Sequence, residues 1–228
     1  MRAVFLDAMG TLLDLASPGD ALVAELRRTH DIELDELQAQ RAFDEEIRYY
    51  RSHHLQGRDG DSLADLRMRC AEVLHANLPV SVRPRISCDE LLPVLHACLR
   101  FTVFDDVVEA LVRLRERELV LVVLSNWDIS LPEVLDELGL LSMLDGVLSS
   151  ASVGHPKPAP AIFGAALELA GVSAGEALHV GDSPEFDVRG ALGAGIAAVL
   201  LCRGQSTSSK SGAVPEISSL AQLPALIP

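Results

Sequence analysis

Four short clusters in this sequence carry residue types that can do covalent chemistry on a charged group. They are Asp7-Ala8-Met9-Gly10-Thr11-Leu12, Ser125-Asn126, Lys157 within Gly154-His155-Pro156-Lys157-Pro158, and Gly181-Asp182-Ser183 with Asp187 beyond it. A carboxylate beside a glycine turn, a hydroxyl next to an amide, an ammonium and a second pair of acids suit attack by a carboxylate on a phosphate or similarly charged group. Taken singly, each cluster has a structural rival. A strand-end Asp caps a turn, Ser-Asn is a common turn, a loop lysine is ordinarily exposed, and Asp182 and Asp187 suit the positive end of a following helix. Lys157 stands out by scarcity. Of 19 basic residues only Lys157 and Lys210 are lysines, so this position calls for a compact, flexible ammonium where the chain otherwise writes arginine.

These residues converge only if the elements around them place them at one edge. Nearly continuous apolar runs at 3–6, 119–124, 146–148, 177–180 and 196–201 read as strands covered on both faces. Between the later runs, Val107, Leu111 and Leu114 recur at helical spacing. So do Leu131, Val134, Leu135 and Leu138, and then Ile162, Ala165, Ala166 and Leu169. Strand alternating with helix from about residue 104 predicts an α/β fold with a doubly wound parallel sheet, in which ligands sit beyond the carboxyl ends of the strands. All four clusters follow strands.

Residues 15–100 break that rhythm. They contain no convincing strand and several helical segments, the first opened by Ser17-Pro18-Gly19-Asp20, which has a capping-box pattern with proline at the first helical position. The stretch also holds 11 of the 17 arginines and 5 of the 7 histidines. The predicted organisation is a catalytic core of residues 1–14 and 101–228 with an all-helical domain, 15–100, inserted after the first strand. Residues 206–212 read as a polar loop, followed by a short terminal helix around 217–227. There is no internal repeat.

Composition bounds the partners. The 228 residues carry a formal charge of −14, which argues against nucleic acid or an anionic membrane, and 49% of them are hydrophobic, enough to bury a full core. Four cysteines without a CxxC pair read as reduced thiols rather than a zinc or redox site. Asp7 interrupts any signal-peptide apolar region, and the longest uncharged apolar stretch, 190–202, falls short of the ~18 residues a membrane span needs. The expectation is a soluble cytoplasmic protein. No sequence signal sets its oligomeric state.

In order and spacing the four clusters resemble the haloacid dehalogenase superfamily of hydrolases, in the branch with a helical cap inserted after the first motif. The likeness runs over essentially the whole chain, strongly at 1–14 and 104–200 and only generally in the cap. It implies a Rossmann-like core and these roles. Asp7 is the nucleophile that forms an aspartyl intermediate. Ser125 and Asn126 hydrogen-bond the transferred group, alongside Gly10 and Thr11 of the first motif. Lys157 neutralises charge on nucleophile and substrate. Asp182 binds Mg2+ with Asp7 and the backbone carbonyl of Met9, and Asp187 supports them from behind. Two carboxylates with waters completing an octahedron also suit Mg2+ on general grounds. His179 reads as a core histidine within its strand, and Trp127 as either a border of the substrate or a packing residue.

One position departs from the pattern. In the superfamily's phosphatases the residue two after the nucleophile is a second aspartate that protonates the leaving group and then activates water. Here it is Met9, which can do neither, and acid–base assistance is typically worth ~10²–10⁴ in rate. The 2-haloacid dehalogenases share a DAxGT start and need no such acid, but they use no metal and lack the Gly-Asp-Ser signature. Phosphonatases need a cap lysine, and residues 15–100 contain none. The expectation is therefore a Mg2+-dependent phosphatase, slow or specialised, for a small phosphorylated metabolite. The alternatives are a carbon–halogen hydrolase and a catalytically inactive phosphoryl-binding protein. Tyr49, Tyr50, His53 and His54 are the candidate proton donors from the cap, with packing as the stronger reading.

Overall fold

A computed structural model describes residues 1–204 and 214–227 of the chain. The loop expected at 206–212, and Lys210 with it, lies outside the described residues. In chain order, β1 (Ala3–Leu6) and β2 (Leu13–Leu15) precede four helices, α1 (Pro18–His30), α2 (Glu36–His53), α3 (Gly60–Asn77) and α4 (Cys88–Cys98). Then follow β3 (Phe101–Val103), α5 (Val107–Arg115), β4 (Val120–Ser125), α6 (Leu131–Glu137), β5 (Gly146–Ser149), α7 (Ser150–Val153) and α8 (Pro160–Ala170). The chain continues through β6 (Ala177–Gly181), α9 (Gly190–Gly193), β7 (Ala197–Leu201), β8 (Glu216–Ile217) and α10 (Leu223–Leu226).

The apolar runs do become the strands of one parallel sheet, in the order β5-β4-β1-β6-β7-β8. All four residues of β1 are fully buried, as expected for a strand flanked on both sides and covered on both faces. Phe5, Val122, Leu124, Ile162, Phe163 and Ala166 form one face of the core, where α8 packs its apolar stripe. The chain moves outward from β1 to β4 and β5, then crosses to β6 and β7 on the other side. That reversal makes the carboxyl edge of β1 a topological switch point.

Two sequence expectations fail locally. Ile217 lies in β8 and not in a terminal helix, because the edge of β7 captures the segment: Leu200 N–H donates to Pro215 O at 3.0 Å and Cys202 N–H to Ile217 O at 2.8 Å. Pro224 then sits in the first turn of α10, where its missing N–H costs no helix hydrogen bond, so the helix starts there and not upstream. Ser17 also makes no side-chain cap bond, and Pro18 alone starts α1.

The chain divides into two compact units, Met1–Asp14 with Val103–Pro228, and Leu15–Thr102. The second is α1–α4 around its own core, built from Leu22, Leu26, Phe43, Leu66, Leu74 and Leu91. Its helices start where the sequence supplies acceptors. Asp35 accepts from Gln38 N–H, and the pairs Asp59–Ser62 and Ser87–Glu90 close reciprocal capping boxes on α3 and α4. Buried Glu25 is bracketed by Arg28 at 2.6 Å and Arg100 at 2.7 Å within the same unit. Among the described residues no helix is long and apolar enough to cross a membrane.

Candidate active site

Register brings the candidate residues together. Leu6 pairs with Val123 of β4 and with Val180 of β6, so the residues that follow all leave the sheet at the same edge. Asp7 N–H still donates to Val180 O at 2.9 Å, which fixes the aspartate at the last rung of the ladder. Ser125 ends β4, and its Oγ donates to Asp7 Oδ1 at 2.9 Å. Lys157 Nζ donates to the same oxygen at 2.6 Å and to Asp187 Oδ1 at 2.5 Å. Both of these hydrogen bonds to Asp7 fall on the one oxygen, Oδ1.

Lys157 is not the exposed loop lysine of the ordinary expectation. Only 3% of it is accessible, and its main chain is clamped by Asn126, whose Oδ1 accepts from Lys157 N–H at 2.7 Å while Nδ2 donates to Lys157 O at 3.0 Å. Both ends of the Asn126 amide are thereby engaged in holding the lysine loop, a role that the sequence did not suggest. Burial works against the Lys157 ammonium, yet Asp7 and Asp187 on either side outweigh it and hold the group above its ordinary range. The cation stays charged at neutral pH.

Behind the lysine is a residue whose reach the sequence understated. His179 is fully buried on β6, edge-on to Phe163, but its Nε2 lies 2.9 Å from Asp187 Oδ1. Ser183 N–H donates to the other oxygen of Asp187 at 2.9 Å. Burial alone would raise the Asp187 carboxyl, but Lys157 and His179 hold it below the usual carboxylate range. The missed signal was period two: His179 and Gly181 share a face of β6, and that face receives Asp187. A Cβ on Gly181 would lie 2.1 Å from Asp187 Cγ. On a short π-helical turn, Pro184–Arg189, Asp187 is the acid that this glycine admits.

Asp182 approaches from the other side. Gly10 has φ +78°, and a Cβ there would lie 2.2 Å from Asp182 Oδ2, so the turn after Asp7 packs directly on that carboxylate. The turn is held by its own main chain: Gly10 N–H donates to Leu13 O at 2.8 Å and Leu12 N–H to Ala8 O at 2.8 Å. Met9 is half-buried within it, and the fully buried Thr11 hydroxyl has no hydrogen-bond partner among the described residues.

The donor set fits a hard divalent cation. One oxygen each of Asp7, Asp182 and Asp187 lies within 4.8 Å of the others. Three carboxylates face a single ammonium, an excess of negative charge that an approaching anion would meet unless a cation offsets it. The strain is visible in the acids. Burial, then Asp7 and Asp187, push Asp182 up to about 6. Burial raises Asp7 as well, with Asp187 adding to it and Lys157 opposing. Asp187 has both oxygens in hydrogen bonds, Oδ1 with Lys157 and His179 and Oδ2 with Ser183 N–H.

Trp127 is buried, and its main chain pairs with Ser150 through N–H to Oγ at 3.1 Å and Oγ–H to O at 3.1 Å, which favours packing over a substrate border. In the helical unit Tyr49 and His53 stack at 4.0 Å between ring centroids, and His53 Nδ1 lies 2.7 Å from Tyr49 O.

Residues 1–195 match the family model described as haloacid dehalogenase-like hydrolase. The chain is similar to a haloacid dehalogenase-like hydrolase domain-containing protein 3 from Mus musculus, at 30% identity over 100% of this chain and 93% of the relative. It also resembles an N-acylneuraminate-9-phosphatase from Homo sapiens, at 35% identity over 55% of this chain and 52% of that protein. Among solved structures, an L-2-haloacid dehalogenase from Xanthobacter autotrophicus superposes with TM-score 0.71 and 25% identity, over 100% of this chain and 98% of that one.

Proposed function

The chain belongs to the haloacid dehalogenase-like hydrolases, and from that premise we propose that it is a Mg2+-dependent phosphatase of a small phosphorylated metabolite, working through an aspartyl-phosphate on Asp7. The observation that carries this reading is the cluster of Asp7, Asp182 and Asp187 against one lysine. A metal-independent carbon–halogen hydrolase has no use for the extra acid that crowds Asp7, whereas a phosphatase needs the cation such a cluster attracts. The phosphatase named among the relatives points the same way, and the likeness to a dehalogenase structure is accounted for by the shared fold.

In the proposed mechanism, Mg2+ held by Asp7, Asp182 and the Met9 carbonyl would neutralise phosphoryl charge. Asp7 Oδ2 attacks phosphorus, forming the Asp7 O–P bond as the ester P–O bond breaks. Ser125 and Lys157 keep the spectator oxygen Oδ1 fixed so that the carboxylate presents one face. Lys157 also offers its charge to the transferred group, and Asn126 and Asp187 hold that lysine in place. Water then cleaves the aspartyl-phosphate, releasing inorganic phosphate and restoring Asp7. Because Met9 cannot protonate the departing oxygen, esters with acidic leaving groups are the favoured substrates.

A generic aryl phosphate tests the proposal. The protein is expected to release phosphate with Mg2+ and to stop when the metal is chelated, and Asp7→Asn is expected to abolish release. Release that persists in Asp7→Asn overturns the nucleophile assignment. Chloride release from a 2-haloacid in the presence of chelator would establish the carbon–halogen reading in its place.

A further inference from the structure

The turn that follows Asp7 is gripped from outside the four motifs by one arginine. Arg203, just past the end of β7, lies beyond the stretch that matches the family model. Its Nη2 donates to the carbonyl of Thr11 at 2.7 Å. The same guanidinium pairs with Asp106, Nη1 to Oδ2 at 3.1 Å and Nη2 to Oδ1 at 2.9 Å, and lies over the Phe104 ring at 3.9 Å from its centroid. Asp106 is itself held, accepting at Oδ2 from Ser219 Oγ at 2.6 Å and from Leu220 N–H at 2.7 Å. Burial would raise the Asp106 carboxyl, but Arg203 leads the contacts that bring it below its ordinary range. Phe104 completes the grip, since its N–H donates to Leu12 O at 3.2 Å.

This set of contacts exceeds what a surface ion pair needs. A lysine could neutralise Asp106, but only a planar, forked cation can pair with the carboxylate, reach the Thr11 carbonyl and stack on a ring at the same time. The carbonyl it holds belongs to the residue after Gly10, and Gly10 packs against Asp182 Oδ2 with no room for a Cβ. The contact chain therefore runs from Arg203 through Thr11 and Gly10 to the carboxylate proposed to bind the metal.

We propose that Arg203 is a positioning residue, clamping the Gly10–Thr11 turn so that the main chain after Asp7 and the Asp182 carboxylate keep the geometry that binds Mg2+. The metal-binding consequence rests on the proposed function, whereas the clamp on the turn does not.

The test uses the full chain with Arg203→Met and Arg203→Lys, and Ser173→Ala as a control that opens the capping box with Glu176 and touches neither Asp106 nor Thr11. Three quantities are read: amide hydrogen exchange across residues 8–13, calorimetric titration with Mg2+ alone, and kcat and KM on an aryl phosphate at several Mg2+ concentrations. Both Arg203 variants are expected to exchange faster at residues 8–13 and to bind Mg2+ ~10-fold more weakly, the usual scale for loss of a group that orients metal ligands. kcat is expected to fall more than KM rises, with partial recovery at high Mg2+. Ser173→Ala is expected to lower Tm only. If Arg203→Met, or Arg203→Lys where the methionine variant does not fold, matches wild type in exchange and Mg2+ binding, the assignment is overturned whatever happens to Tm. A wild type that neither binds Mg2+ nor turns over would sink the proposed function and the metal half of this inference, while the exchange comparison would still decide the clamp.

Discussion

Met9 occupies the position from which the superfamily's phosphatases deliver and recover a proton, and a thioether can do neither. The remaining residues meet without it: Ser125 and Lys157 converge on Asp7, and Gly10 packs on Asp182. If the rest of the machinery is competent, Met9→Asp restores the missing group, and phosphatase kcat on a poor leaving group is expected to rise by ~10²-fold or more. A rate that stays flat, with Asp7→Asn equally inactive, would mean that some other step limits turnover. At this scale the sequence was strongest on identity and weakest on partnership. Scarcity singled out Lys157, and the structure gives it the two carboxylates that account for a compact ammonium. Asn126 and His179 were legible as residues but not as contacts, because their partners lie 31 and 8 positions away and meet them only through the loops beyond the sheet.

Elements decide how closely those residues meet. The approach of Asp187 depends on the absence of a side chain on β6 at Gly181. Gly181→Ala is expected to displace Asp187 from Lys157 and to lower kcat by ~10²-fold, the cost typical of small misplacement in an active site, and a kcat within twofold of wild type would remove Gly181 from the account. In the helical unit, Glu46 of α2 is buried and hydrogen-bonded with Cys70 of α3, and burial pushes its carboxyl up from 4.5 to about 7. Between those two pH values the folded chain holds a proton that the unfolded chain has released, so this group's contribution favours folding most below about 4.5 and is lost as pH rises towards 7. Glu46→Gln is accordingly expected to match wild type near pH 4.5 and to be more stable at pH 8, by about 1–3 kcal/mol. Denaturant melts at the two pH values check this, and parallel stabilities at both would refute it. The helix pattern of this unit was readable from sequence, while the cap at Ser17 was not: proline sets the start of α1 without help from the preceding hydroxyl.

For the molecule as a whole, the net charge of −14 is a poor guide to function, since the site's own imbalance is local: among the described residues, buried Asp7, Asp187 and Lys157 meet the exposed Asp182 at one edge of the sheet. Relieving that imbalance should register in stability. Mg2+ at ~100 times its Kd is expected to stabilise the sheet-bearing unit by about 2.7 kcal/mol and to raise its Tm, whereas K+ at equal ionic strength is not. Asp182→Asn should remove the response. A Tm insensitive to Mg2+ in the wild type would argue that these acids do not hold the metal. Calorimetry can assign the shift by unit, because a chain with two compact units need not melt as one cooperative transition.

The sequence by itself determined β1, β4, β5, β6 and β7 of the main sheet, the long helical insertion and the four clusters, because continuous apolar runs and helical periodicity are local signals and strand ends follow from them. It also determined the departure at Met9, which no folding can disguise. Only the tertiary structure decided which atoms meet: that Asp7 is spoken for at one oxygen, that Asn126 serves Lys157, that His179 supports Asp187, and that Arg203 reaches back 192 residues to the Thr11 carbonyl. The same holds for the capture of Pro215 and Ile217 by the edge of β7. All but the His179–Asp187 contact join segments far apart in the chain, fixed by sheet order and by the space two glycines leave open, and His179 meets Asp187 eight residues on only because the turn after β6 folds back over Gly181.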